Sequence, residues 1–228
     1  RISPRDLGMY TDAQVQAHAG VVSFLHSQGA IAAVQLNHAG GKAGTYPWLP
    51  GFTNTTVPGS EGGWQTVGMT DRPVVPGLDA PVPLDQAGFD DIVADFADAA
   101  RRADRAGYDV IQIHSAHGYL LHQALSPLNN TRTDEYGDAE GRTRLVRDVV
   151  AAVRAAWPAH KPLGMRLSVT DWTDGGWDIE ASIRLLRDLA GLGLNWVDVS
   201  STGISQDATV PMGPGYHVPL AARLKEAL

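Results

Sequence analysis

The sequence predicts an α/β fold in which parallel strands alternate with helices around a (β/α) barrel. Helix-like and strand-like segments follow each other in strict alternation, an order most easily joined as right-handed parallel units. Each strand-like segment is apolar on one face and polar on the other toward its C-terminal end. The longest loops come directly after strands. An open sheet covered on both faces by helices would favour strands apolar on both sides. A barrel instead packs one face on its helices and builds a site at the C-terminal mouth of the other.

The elements run as follows. A helix begins after Thr11, a candidate N-cap, and Gln14 three residues later completes a capping box. Val15, Val22 and Leu25 supply its apolar positions, and Gly29 stops it. A strand over Ile31 to Asn37 leads into a Gly-, Pro-, Thr- and Trp-rich segment, about 39–84, too long for an ordinary connection and so a functional excursion. Phe89, Ile92, Val93 and Phe96 mark a helix from about Asp85 to Ala106. Tyr108 to His114 is the second strand, about Ser115 to Glu140 a loop, and Arg142 to Trp157 a helix broken by Pro158. Leu163 to Ser168 is the third strand, and a loop with Asp174-Gly175-Gly176 leads to a helix over Ile179 to Leu192. Trp196 to Ser200 is the fourth strand, and a last helix starts near Val218. Residues 1–228 are read as one partial barrel domain.

Side chains alternate across a strand. Ala33, Gln35 and Asn37 therefore share one face of the first strand, and Gln112 and His114 one face of the second. Arg166 and Ser168 share a face of the third, and Asp198 and Ser200 a face of the fourth. These are the faces expected inside the barrel.

Composition narrows the function. A net charge of −7 opposes nucleic-acid binding, which needs a surplus of Lys and Arg. No apolar run is long enough to cross a bilayer, and the first residues lack the apolar core of a signal peptide. The absence of cysteine excludes disulfides and thiolate metal centres within this chain. A cytoplasmic location is expected.

The chemistry concentrates in His114-Ser115-Ala116-His117-Gly118-Tyr119-Leu120. Two imidazoles where a strand turns into its loop can converge on one substrate oxygen, polarising a carbonyl or holding a phenolate. Tyr119 adds a weak acid able to deliver a proton. From spacing alone a metal site is as good a reading of the His pair, although no Asp or Glu on the same strand offers a third ligand. Arg166 fits a buried ion pair with Asp198, or a cation beside an electron-rich cofactor. Gln35 fits a core amide, or a donor–acceptor pair for the edge of a flavin ring.

Several motifs together resemble one family. Gln35-Leu36-Asn37-His38-Ala39-Gly40 with Lys42-Ala43, the segment His114 to Leu120, and the run Leu125-Ser126-Pro127-Leu128-Asn129-Asn130-Thr131-Arg132-Thr133-Asp134-Glu135-Tyr136-Gly137 resemble signatures of the Old Yellow Enzyme family. Its bacterial, thermophilic-like branch is the nearest. Arg166 with Ser168, and Asp198-Val199-Ser200-Ser201, fall where its fifth and sixth strands belong.

The resemblance implies a (β/α)₈ TIM barrel of which this chain carries the third to sixth strands. It implies FMN at the mouth, with Gln35 on the flavin pyrimidine and Arg166 by its N1/C2 edge. It implies that His114 and His117 bind the carbonyl or nitro oxygen of an activated alkene, that hydride passes from the flavin to the β-carbon, and that Tyr119 protonates the α-carbon. NADPH or NADH would be the reductant and no metal would take part. The sequence departs from the pattern at Gly41, where an Arg is common, at Gln112, where a Glu is common, and at Gly68-Met69-Thr70, where Ala-Pro-Ser is usual. Without the other four strands the FMN phosphate anchor would be missing, so this piece alone is expected to bind FMN weakly or not at all, to be inactive, and to leave two open sheet edges. A metal-dependent barrel hydrolase and a non-catalytic degenerate fragment are the competing readings. A small-molecule substrate is expected, and self-association into a homo-oligomer is left open.

Overall fold

The computed structural model describes residues 1–47 and 49–228; Trp48, inside the long excursion, lies outside the described residues. Four parallel strands form one sheet: β1 (Ala33–Leu36), β4 (Val110–Ser115), β5 (Leu163–Ser168) and β6 (Trp196–Ser200), in the order β1-β4-β5-β6. Each strand pairs with the next along the chain, as successive βα units of a barrel do. The sheet with its helices is part of a (β/α)₈ barrel, and β1 and β6 lie at its two edges.

The helices start and stop where the sequence signals. α1 (Asp12–Ser27) follows Thr11, and Gln14 Oε1 accepts from the backbone N–H groups of Tyr10 and Thr11, each at 2.9 Å. Asp85 caps α2 (Gln86–Arg105) by accepting from Gly88 N–H at 2.8 Å. Asp178 caps α5 (Ile179–Gly191) by accepting from Ala181 N–H at 2.7 Å. Such caps satisfy donors that the first helical turn leaves free. α4 (Gly141–Ala156) ends at Trp157 before Pro158, and α6 spans Val218–Ala227.

Two expectations need correction. The first strand pairs with β4 over four residues, Ala33–Leu36, rather than seven. The segment 115–140 is not all loop: Leu120–Leu125 form a short helix, α3, with all six residues buried. Six residues buried on every side carry no amphipathic period, so no helical pattern could announce it.

The excursion after β1 has structure of its own. Thr45 and Thr56 form an antiparallel bridge, and β2 (Val67–Gly68) pairs in parallel with β3 (Val82–Pro83). Arg132 ties it down: its Nη1 donates to the carbonyls of Met69 at 3.1 Å and Leu84 at 2.9 Å. The departure at Gly41 has a spatial reason, since a Cβ there would lie 2.8 Å from Val74 Cγ2 and 3.1 Å from Pro81 Cγ, both within the excursion.

The core lies on the outer face of the sheet. Ile111, Ile113, Leu163, Met165 and Leu167 are wholly buried there, in one cluster with Phe89, Ile92 and Phe96 of α2, Val146, Val149 and Val153 of α4, and Ile183, Leu186 and Leu189 of α5. Each such side chain contributes about 1.5–3 kcal/mol by leaving water. Burying this face commits the alternate residues to the opposite one.

Candidate functional site

The register stacks the inner-face residues in levels. Gln35, Gln112, Gly164 and Trp196 lie side by side; two residues further on stand His114, Arg166 and Asp198; above them stand Ser168 and Ser200. Gly164 makes the lowest level possible, since a Cβ there would sit 2.0 Å from the Trp196 indole. Gln35 Nε2 donates to Gln112 Oε1, whose own amide reaches Asp198 Oδ2 at 3.5 Å. Arg166 Nε lies 3.3 Å from Asp198 Oδ2, so the ion pair considered from sequence is formed, but both side chains are more than a third exposed and the pair is not a buried one.

His114, next to last in β4, is buried, and neither ring nitrogen makes a hydrogen bond of good geometry among the described residues, although the Ala116 backbone lies near enough to favour a proton on the ring. Its ring centroid is 5.1 Å from that of His117 and 5.3 Å from that of Tyr119. Burial, reinforced by the positive charge His117 and Arg166 would place beside it, draws its pKa down to about 3. Burial and Arg166 draw His117 down to about 4. Both rings are therefore neutral near pH 7, each with one N–H to give. Burial raises Tyr119 above the ordinary phenol value, so it keeps its proton there.

His117 is held on every side. Its backbone is left-handed, with φ 57°. Its N–H donates to Ser168 Oγ at 3.1 Å, its Nε2 shares a hydrogen bond of 2.7 Å with Ser200 Oγ, and its carbonyl accepts from Lys42 Nζ at 2.7 Å. Ser168 Oγ also donates to Thr202 O at 2.9 Å, joining the loops after β4 and β6.

Beneath this turn lies a buried polar network. Gly118 N–H donates to His122 Nδ1 at 2.9 Å, which leaves His122 Nε2 to donate to Asp171 Oδ1, also at 2.9 Å. Asp171 further accepts from Ser126 Oγ at 2.6 Å and Trp177 N–H at 2.8 Å. Burial works against its charge, but these donors outweigh that and hold its carboxyl below the usual range. Sequence reasoning named Lys42 only as part of a motif, without a role, and passed over His122 and Asp171. Ser168 and Ser200 were legible as inner-face strand ends; His122 and Asp171 sit in segments without a period to read.

Gln35, His114 and Arg166 thus share the inner face, and His117 and Tyr119 adjoin it from the loop after β4. Among the described residues no group of three or more His, Asp or Glu is placed to hold a metal, and no helix is long and apolar enough to cross a membrane.

The model of the NADH:flavin oxidoreductase / NADH oxidase family matches residues 1–213. The chain belongs to this family. It is the family the motifs resemble, that of Old Yellow Enzyme. Members of this NADH:flavin oxidoreductase family resembling the chain include the NADH:flavin oxidoreductase FG08077 of Gibberella zeae, 38% identical over 100% of this chain and 59% of that protein. An NADPH dehydrogenase of Listeria monocytogenes is also 38% identical, over 99% of this chain and 61% of that protein. Among solved structures, morphinone reductase superposes with a TM-score of 0.73 at 27% identity, over 96% of this chain and 60% of that one. The chain spans about three-fifths of the length of the curated relatives it matches. FMN is the cofactor of the Old Yellow Enzyme family, with NADPH or NADH as reductant. The inner face suits such a group: an amide and a guanidinium complement the donors and acceptors of a flavin pyrimidine edge, and His114 offers unsatisfied nitrogens next to them.

Proposed function

We propose that the chain carries the substrate-activating part of an FMN-dependent ene-reductase acting on activated C=C bonds in enones, enals and nitroalkenes. The observation that carries this reading is His114, buried at a strand end with two unpartnered nitrogens on the face it shares with Arg166 and Gln35. Leaving a buried polar group unpaired costs about 1–3 kcal/mol, which an incoming acceptor relieves. A carbonyl or nitro oxygen is such an acceptor. His117 supplies a second donor: if the Ser200 hydroxyl donates to Nε2, the ring proton sits on Nδ1 and is free for the substrate. Because both rings are neutral, they polarise the oxygen through hydrogen bonds without becoming general acids themselves. Tyr119, protonated and beside His114, gives its proton to the α-carbon. Gln35 and Arg166 hold the pyrimidine edge. Bound FMN supplies the hydride, and NADPH or NADH restores it. The substrate is a small molecule and the setting cytoplasmic.

The test uses the full-length protein. It is expected to purify yellow, to turn over NADPH under anaerobic conditions only when a cyclic enone is present, and to lose about 10²–10³-fold in kcat/KM on His114→Ala while keeping its flavin. A colourless protein that cannot be reconstituted with FMN, or a His114→Ala variant as active as the wild type, would end the proposal.

A further inference from the structure

Lys42 leaves the loop after β1 and ends where three barrel loops meet. Its Nζ donates to His117 O at 2.7 Å and to Gly203 O at 3.2 Å, and lies 5.3 Å from the centroid of the Tyr119 ring. The two loops it joins touch directly: a Cβ on Gly118 would fall 2.1 Å from Gly203 O, and one on Gly203 would fall 2.3 Å from His117 Cα. Two carbonyl dipoles, one from each loop, thus converge on one ammonium. It has no ion-pair partner among the described residues, and burial draws its pKa down to about 8. A part-buried cation with no counter-ion among the described residues is tolerated where carbonyls take its donors. Here they fix a residue that needs fixing, since a left-handed backbone is unfavourable for histidine by about 1–2 kcal/mol. Ser168 holds the His117 N–H and Ser200 its ring; Lys42 holds the carbonyl.

We propose that Lys42 is a positioning residue for the reaction: its ammonium clamps the His117 carbonyl to the loop after β6 and so sets His117 and Tyr119 against the bound alkene. The inference rests on the ene-reductase reading. His114, held within β4 by its pairing with β5, does not depend on Lys42.

The experiment compares wild-type full-length protein with Lys42→Met, which keeps the stem and removes the N–H donors, and with Lys42→Arg, which keeps donors and charge. Three quantities are read: amide hydrogen exchange of residues 116–120 and 201–204, kcat and KM with a cyclic enone, and FMN affinity by fluorescence titration. In the methionine variant, exchange in both segments should rise at least tenfold together. Its kcat should fall at least tenfold while FMN affinity stays within twofold, and arginine should restore kcat to within threefold of wild type. Unchanged exchange in both segments, a kcat within twofold of wild type, or FMN affinity falling in step with kcat would each overturn the proposal. Should the methionine variant not fold, Lys42→Gln replaces it, because the shorter uncharged amide cannot reach both carbonyls and the same readouts decide. Exchange needs no flavin. A wild-type protein without FMN or enone activity therefore retires the ene-reductase reading, while the exchange rates still decide whether Lys42 holds the two loops.

Discussion

His114 and His117 stand three residues apart, and the fold treats them in opposite ways. His117 lies in a loop, in a left-handed conformation, and its N–H, its carbonyl and its ring are each engaged by a residue from a different βα unit. His114 lies in a regular strand, its position guaranteed by the ladder to β5, and its ring nitrogens lack a hydrogen-bond partner of good geometry among the described residues. The difference teaches how this site divides its work. Where the backbone is already rigid, the side chain can be left unsatisfied for a ligand. Where it is a loop, polar contacts are consumed in holding it.

The largest way to break this comparison is to remove the support beneath the turn. Asp171→Ala deprives His122, Ser126 and the Trp177 N–H of their acceptor in a fully buried place. It should destabilise the full-length protein by about 3–5 kcal/mol, the usual consequence of breaking a buried pair, measured by urea unfolding. A loss below about 1 kcal/mol would show that the turn stands without the network.

Acid offers a second, smaller test. Both imidazoles are harder to protonate folded than free, with pKa values of about 3 and about 4 against 6.5. The unfolded chain therefore takes up protons first as the pH falls. The stability tied to each ring is complete above pH 6.5 and is lost on descending, down to about pH 4 for His117 and about pH 3 for His114. At pH 5 the loss should be about 2 kcal/mol for His114 and less for the partly exposed His117. Unfolding curves of His114→Asn and His117→Asn at pH 7 and pH 5 would resolve the two, and a steeper acid dependence without His114 than with it would contradict the assignment.

The smallest effect sharpens the contrast. Ser200→Ala removes one neutral hydrogen bond from His117 and none from His114, so about 1 kcal/mol of substrate positioning should go, a roughly fivefold drop in kcat/KM with little change in unfolding. A drop as large as that of His114→Ala would mean that the two rings are equally dependent on the scaffold.

The strands were legible because they obey a simple period. Leu163–Ser168 and Trp196–Ser200 lie where alternation places them, and the same alternation assigned Gln35, His114 and Arg166 to one face. The helix Leu120–Leu125 was hidden because burial on every side erases amphipathicity. His122 and Asp171 were hidden because they are 49 residues apart in sequence and meet only when two βα loops fold over one another.

By itself, the sequence determined the order of elements, the face each strand turns inward and the family to which the chain belongs, all of which depend on local periods and short motifs. The tertiary structure alone decided that the His114 ring nitrogens are left without a well-formed hydrogen bond among the described residues, that Lys42 bridges two loops it does not belong to, and that a Cβ at Gly41 would press on Val74 and Pro81. Those facts arise from contacts between segments distant along the chain, and no local pattern of residues encodes the space that a remote segment will fill.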